Sequence, residues 1–185
     1  MTIAAVILAA GGGTRWRGPT PKLLAPFRGH TVLEWSVTHA LEAGLDETIV
    51  VVGAADVRAA LTADVHVVVN GVWDRGQSTS LRAGVLVAGR HGHDAVVVGL
   101  GDQPLVGTEA WRRVAAAAGP IAVATFAGRR RPPVRLDAEV WPLLPRRGDQ
   151  GARGLLGSRP DLVREVPCPG EPADIDTPAD LARYD

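Results

Sequence analysis

The stretch from Ala5 to Leu24, AVILAAGGGTRWRGPTPKLL, carries residue types that handle polyphosphate. An apolar run stops at Ala9-Ala10 and opens into Gly11-Gly12-Gly13, followed by Arg15, Arg17 and Lys22. Glycines let backbone N–H groups approach an anion with no Cβ in the way. Arg15 and Lys22 can then neutralise charge that amides balance only in part. The loop matches neither common glycine fingerprint. Trp16 stands where the dinucleotide pattern needs its last glycine, and Pro21 and Leu23 flank Lys22 where a P-loop needs Gly and Ser or Thr. A plain strand-to-loop turn with surface cations is the competing reading.

Three further segments carry chemistry. Asp102, in Gly99-Leu100-Gly101-Asp102-Gln103-Pro104, directly follows a buried run, and Mg²⁺ prefers one or two carboxylates together with phosphate oxygens and water. An Asp placed there also makes turns by bonding its own backbone. Near the other end, Asp174-Ile175-Asp176-Thr177-Pro178 reads as a helix start, with Asp176 or Thr177 as N-cap, Pro178 in the first turn and Asp180 complementing the dipole. An N-cap Asp at a cleft keeps a free carboxylate oxygen. Between them lies Asn70 to Gly84, where Ser78, Thr79 and Ser80 open a helix. Donors converging there can bond a pyrimidine edge or a ribose, and simple capping is the alternative.

The elements that must hold these segments alternate. Ile3 to Leu8, Thr48 to Val52, Val65 to Val69, Ala95 to Leu100 and Ile121 to Thr125 read as buried strands. Helices are expected at Thr31 to Ala43, Ala54 to Leu61, Ser78 to Ala88 and Glu109 to Ala118. After Thr125 the pattern loosens. Val134 to Leu136 and Leu162 to Val166 are expected strands, and Asp137 to Leu144, Gly151 to Leu156 and Thr177 to Tyr184 short helices. Strands covered by helices give a Rossmann-like open sheet, whose ligands sit beyond the carboxyl ends of the strands. That rule brings the Gly11 loop, the Asn70 to Thr79 loop and the Gly101-Asp102 turn to one rim.

Bulk properties narrow the partners. The 185 residues, 1–185, are the size of one domain with a substantial core. The formal net charge is zero, so neither nucleic acid nor an anionic membrane is the expected partner. The apolar start, Met1 to Ala10, is too short to span a bilayer and has no basic leader. The lone Cys168 fits a reducing compartment, and a cytoplasmic location is expected. His91 and His93 sit in a Gly-rich turn without a third ligand at a sensible spacing, which favours an exposed loop over zinc. Arg129, Arg130, Arg131 and Arg135 suit either an acidic acceptor or a solvated hairpin face. Trp35, Trp111 and Trp141 are expected in the core, whereas Trp16 and Trp73 lie on rim loops.

The ordered set of motifs resembles the nucleotidyltransferase superfamily. LAAGGGTR followed by PKLL is similar to its triphosphate loop, with Trp16 in place of the usual Met and a slightly longer Arg17 to Thr20 segment. N-x-x-W-x-x-G-x-x-x-S-L-x-x-G over Asn70 to Gly84, G-D-x-G-A-R over Gly148 to Arg153 and the D-I-D-T-P at Asp174 resemble its molybdenum cofactor cytidylyltransferase branch. Arg130-Arg131-Pro132-Pro133-Val134 lacks the His of the matching family turn. The resemblance implies a three-layer α/β/α sandwich with a mostly parallel mixed sheet. It implies transfer of CMP from CTP to a molybdopterin-type acceptor with release of pyrophosphate, and delivery to a molybdenum hydroxylase or its chaperone. GTP, or a phospholactate or sugar phosphate acceptor, remains open, as does a non-catalytic delivery role. By the same resemblance Leu8, Ala9, Ala10, Gly11, Gly12, Gly13, Arg15, Lys22, Ser78 and Ser80 contact nucleotide, Asp102 and Asp176 hold Mg²⁺, and Arg15, Lys22 and Asp102 are catalytic.

Overall fold

A computed structural model describes residues 1–61 and 64–185. Among the described residues nine strands run in chain order: β1 (Ile3–Ala9), β2 (Pro26–Phe27), β3 (His30–Thr31), β4 (Glu47–Val52), β5 (His66–Val69), β6 (Ala95–Leu100), β7 (Ile121–Phe126), β8 (Arg129–Asp137) and β9 (Val163–Pro167). Five α-helices accompany them in the described residues: α1 (Val32–Glu42), α2 (Gln77–Arg90), α3 (Thr108–Ala116), α4 (Ala152–Ser158) and α5 (Pro178–Tyr184). Seven strands form one sheet in the order β5-β4-β1-β6-β8-β7-β9. Only the β8 pairings, to β6 and β7, are antiparallel, so the sheet is mixed and mostly parallel. β2 and β3 make a separate small hairpin. None of the described helices is long and apolar enough to cross a membrane.

β1 shows why the sequence makes a sandwich. Side chains alternate across a strand, and a strand covered on both faces has no polar face to show. Ala5, Ile7 and Ala9 join α1 and α3 in one core, while Ala4 and Val6 join α2 and α4 in another. α1 starts where expected, since Thr31 and Glu34 form a reciprocal capping box. α2 lies unusually close to the sheet. A Cβ on Gly84 would stand 2.5 Å from Val6 Cγ1 and 3.2 Å from Val51 Cγ2.

Three expectations need correction. Ala54 to Leu61 is not a helix; only Arg58–Ala60 forms a single 3-10 turn. Val57 is its one fully buried anchor, and Asp56 Oδ1 takes the Arg58 N–H at 3.2 Å, a local bond that competes with helix. The strand expected at Val134 to Leu136 is the nine-residue β8. It is joined to β7 by Ala127-Gly128, both at positive φ, the geometry of a two-residue hairpin turn. Pro132 and Pro133, which lack N–H donors, drop out of the ladder as pairing passes from Val123–Val134 to Ala124–Arg131. Asp137 to Leu144 is 3-10 rather than α, with Pro142 inside it.

The basic run divides by burial. Arg135 is only 4% exposed; it donates to the carbonyls of Ala115 and Ala117 at the end of α3 and pairs with Asp137 at 2.9 Å. Arg130 pairs with Glu165 of β9 at 2.7 Å on the surface.

The close α2 contact gives a stability test. Gly84→Ala should destabilise the fold by about 2 kcal/mol through overpacking against Val6 and Val51, despite alanine's better helix propensity. Urea unfolding measures it; an unchanged or raised midpoint would contradict the packing.

Candidate active site

β1 delivers the glycine loop to the carboxyl edge of the sheet. Ala10 is buried and its carbonyl accepts the Ala54 N–H at 3.1 Å, which fixes where the chain leaves the strand. Gly13 turns at φ +57, and its carbonyl accepts the Trp16 N–H at 2.8 Å. Gly12 lies under Trp73, whose ring would stand 2.9 Å from an added Cβ. Trp16 Nε1 donates to Thr20 O at 2.6 Å and closes the long Arg17 to Thr20 segment on itself. Arg17 bonds the carbonyls of Thr14 and Trp16, so it holds the loop rather than facing a ligand.

Two distant carboxylates meet over this loop. Gly101 donates to Leu8 O at 3.0 Å and accepts from buried Ser36 Oγ at 3.1 Å, which sets the turn that presents Asp102. Ile175 N donates to Asp102 O at 2.9 Å, and its side chain is wholly buried. In extended chain the neighbours of an inward residue face the other way. Anchoring Ile175 therefore brings Asp174 and Asp176 to the cleft beside Asp102. Thr177, not Asp176, is the α5 N-cap, in a capping box with Asp180. Asp176 keeps its carboxylate free for the cleft.

Lys22 joins the two. It follows Pro21 at the head of a 3-10 turn whose next residue, Leu23, is buried. Its Nζ lies 2.6 Å from Asp102 Oδ2 and 3.0 Å from Asp176 Oδ1. Arg15 Nη2 reaches Asp176 Oδ2 at 2.7 Å from a side chain that is 73% exposed. Burial opposes the Lys22 charge, but Asp102 and then Asp176 outweigh it and raise the ammonium above the usual lysine value. Burial, followed by the nearby Asp102 charge, raises the Asp174 carboxyl, against a hydrogen bond from Gln103 Nε2 at 2.8 Å.

Two cavities open on this rim. The first, about 480 Å³, is lined by Leu8, Ala9, Ala10, Gly11, Gly12, Gly13, Arg15, Lys22, Ser80 and Asp102, with Trp73, Gln77 and Asp149 among the other walls. The second, about 380 Å³, shares Leu8, Gln77 and Leu100 with it and adds Arg130, Arg131, Arg153, Gln103 and Asp174 over an apolar floor of Val98, Val123, Val134 and Leu156. Ser78 lines neither. It is fully buried, and its N–H donates to Gly148 O at 3.0 Å, so it ties α2 to the Gly148 loop. Ser80 Oγ accepts from Asn70 Nδ2 at 2.9 Å. Asn70 also bonds Thr79 Oγ1 and Val72 N, which makes it the organiser of the whole turn.

The donor set fits a hard divalent cation. Asp102, Asp174 and Asp176 bring three carboxylates against the two cations Lys22 and Arg15, and an ammonium already bridges Asp102 and Asp176. Oxygen donors of this kind suit Mg²⁺ or Mn²⁺. Gln77 and Gln103 are site residues that motif reading passes over, because a glutamine in a run of variable positions has no spacing signature.

A parallel-sheet rim with a glycine loop, paired aspartates and adjoining cavities defines a nucleotidyltransferase fold and site. The chain belongs to the MobA-like NTP transferase domain family, whose model matches residues 5–163. It is similar to the nicotine blue oxidoreductase of Paenarthrobacter nicotinovorans, at 32% identity over 98% of this chain and 95% of the relative. Among solved structures it is similar to a nucleotidyl transferase from Methanothermobacter thermautotroptrophicus, with TM-score 0.84, 33% identity, and 98% and 95% of the two chains covered. It is also similar to Rv0371C from Mycobacterium tuberculosis H37Rv in complex with manganese, with TM-score 0.82, 35% identity, and 100% and 98% covered.

Asp174 gives a pH test. A raised carboxyl penalises the folded state while it is ionised, so Asp174→Asn should stabilise the protein at about pH 7. The gain should vanish by about pH 3, where Asp174 is protonated in folded and unfolded chains alike. Thermal unfolding at the two pH values reads it, and a gain that grows in acid would contradict the sign.

Proposed function

We propose that residues 1–185 act as one nucleotidyltransferase domain that transfers CMP from CTP to the terminal phosphate of a molybdopterin-type acceptor. The observation that carries the reading is the Lys22 ammonium held between Asp102 and Asp176 beside the glycine loop, at the junction of two cavities. One cavity suits a nucleoside triphosphate. The other, apolar below and carrying Arg130, Arg131 and Arg153, suits a ring system that bears a phosphate.

In the reaction an oxygen of the acceptor phosphate bonds to the α-phosphorus, and the bond to the bridging β-oxygen breaks. Pyrophosphate leaves with that electron pair. Such chemistry needs positioning and charge neutralisation, and no covalent link to the enzyme. Amides of Gly11 to Gly13 face the β- and γ-phosphates. Lys22 turns from the carboxylates to the polyphosphate, and Arg15, on its exposed stem, follows the leaving pyrophosphate. Leu8 to Ala10 and Ser80 line the wall against which the base rests. Asp102 and Asp176 would hold the divalent ion, Mg²⁺ in this reading, which supplies Lewis-acid neutralisation of the phosphates when bound.

The relative named for an oxidoreductase supports a second reading, hydride transfer to a heteroaromatic ring in the Arg-rimmed cavity. Clustered carboxylates around a lysine serve a metal polyphosphate and have no evident part in hydride transfer, so the transferase reading stands first. A non-catalytic delivery partner needs no second carboxylate.

Pyrophosphate release should appear with CTP plus molybdopterin and be low with ATP, GTP or UTP. Lys22→Ala and Asp102→Ala should each lower turnover about a hundredfold or more, the scale of one lost preorganised charge contact. Release with GTP or with another phosphorylated acceptor would reassign the substrate. Near-normal turnover in both variants, or NAD(P)H consumption without pyrophosphate, would overturn the reading.

A further inference from the structure

At the opposite end of the sheet from the rim, three chain segments bring imidazoles to one carboxylate. Glu47 is the first residue of β4, His66 the first of β5, and His91 and His93 flank Gly92 in the turn that ends α2. β4 has six residues, so the cluster stands about 17 Å from the catalytic edge at the usual rise per residue. His91 Nδ1 lies 3.0 Å from both Glu47 oxygens, and His93 Nε2 lies 2.8 Å from Glu47 Oε2. His66 Nδ1 is 3.9 Å from Glu47 Oε1, and its ring meets that of His91 edge-on at 4.9 Å.

We propose that Glu47, His66 and His91 form a binding site for a zinc-like divalent cation, with His93 as the residue that positions Glu47. One ligand atom from each of the three lies within 4.8 Å of the others. Tetrahedral zinc with bonds of about 2.0–2.1 Å sets its ligands about 3.4 Å apart. The site closes by side-chain shifts of about an ångström, which the half-exposed His66 and His91 can make.

Hydrogen bonding alone does not account for the arrangement. His91 Nδ1 already reaches both carboxylate oxygens, yet a further imidazole converges on Oε1 beyond hydrogen-bond range. A cation taken up between them uses all three groups. His93 is only 9% exposed at its side chain, and its Nδ1 is buried with no partner. It spends its one contact on Oε2 and leaves Oε1 turned toward His66, the arrangement by which an outer residue orients a metal carboxylate. The C-terminus of the 14-residue α2, negative by its dipole, ends at His91 and adds attraction for positive charge. Imidazole nitrogens select zinc-like ions over Mg²⁺, which separates this site from the oxygen-only donors of the rim. Bound there, the ion would clamp the end of α2 to the β4–β5 edge and take water as its fourth ligand.

The test is zinc titration of the Asp102→Asn/Asp176→Asn protein by calorimetry, so that the catalytic carboxylates do not contribute. One zinc per chain should bind, and His66→Gln or His91→Gln added to that background should each lower the affinity at least tenfold. In the otherwise unaltered chain, His66→Gln and His91→Gln should leave pyrophosphate release in Mg²⁺ unchanged. Should the variants fail to fold, anomalous scattering from zinc-soaked crystals of the unmutated protein should give a peak between Glu47, His66 and His91. No binding, binding indifferent to both imidazoles, or an anomalous peak confined to the catalytic rim would overturn the proposal.

Discussion

Three aspartates gathered in a partly desolvated cleft repel one another, and the fold is stable with them there because positive charge stands among them. Lys22 Nζ lies within 3.0 Å of both Asp102 and Asp176, on a side chain that is 12% exposed. Removing one partner from such a group leaves an uncompensated charge in low dielectric, which costs far more than an exposed pair contributes. The Arg15–Asp176 contact, on a largely exposed arginine, adds little to stability. The acids of the cleft are thus written into the structure as a place for a cation, and the ammonium holds it in the free protein. In the proposed reaction a polyphosphate would offer the ammonium a second partner and leave the carboxylates to a metal.

That arrangement depends on ordinary backbone bonds made beside the charges. β1 and β6 run parallel, and the Leu8 carbonyl receives the Gly101 N–H, so the glycine loop and Asp102 leave the sheet side by side. The Asp102 carbonyl receives the Ile175 N–H, and the buried Ile175 side chain fixes the C-terminal segment against the core. Each bond is worth about 1 kcal/mol by itself, yet together they set the spacing of the carboxylates in the cleft. The antiparallel β8 closes the other side. Pro132, which leaves its ladder, and Arg131 beside it line the second cavity.

Much of this was legible in the chain. β1, with apolar residues at every position, reads as a doubly covered strand, and Asp174-Ile175-Asp176-Thr177-Pro178 reads as a helix start, whereas the burial of Ile175 that turns both acids to the cleft emerges only from the fold. Other features depend on contacts that no local pattern encodes. Arg129 to Arg135 looks like a uniform basic run, but Arg135 serves the end of α3 while Arg130 meets β9, because alternate strand positions face different neighbours. Ser78 carries a hydroxyl at a helix start yet is turned inward by the Gly148 contact. His91 and His93 gain their third and fourth partners from β4 and β5, some 25 to 46 positions away, so short-spacing motifs pass over them. In the Ala54 to Leu61 segment the Asp56 side chain takes the Arg58 N–H, a local bond that competes with helix and has no signature in the apolar spacing.

The central claim is that the Lys22 ammonium occupies the position a divalent cation would take between Asp102 and Asp176. Manganese binding to the nucleotide-free protein, followed by electron paramagnetic resonance, tests it without any turnover. Lys22→Met should bind Mn²⁺ about tenfold more tightly, a gain of about 1.4 kcal/mol from removing a competing cation. Mn²⁺ affinity that is unchanged or weaker in Lys22→Met would contradict the account.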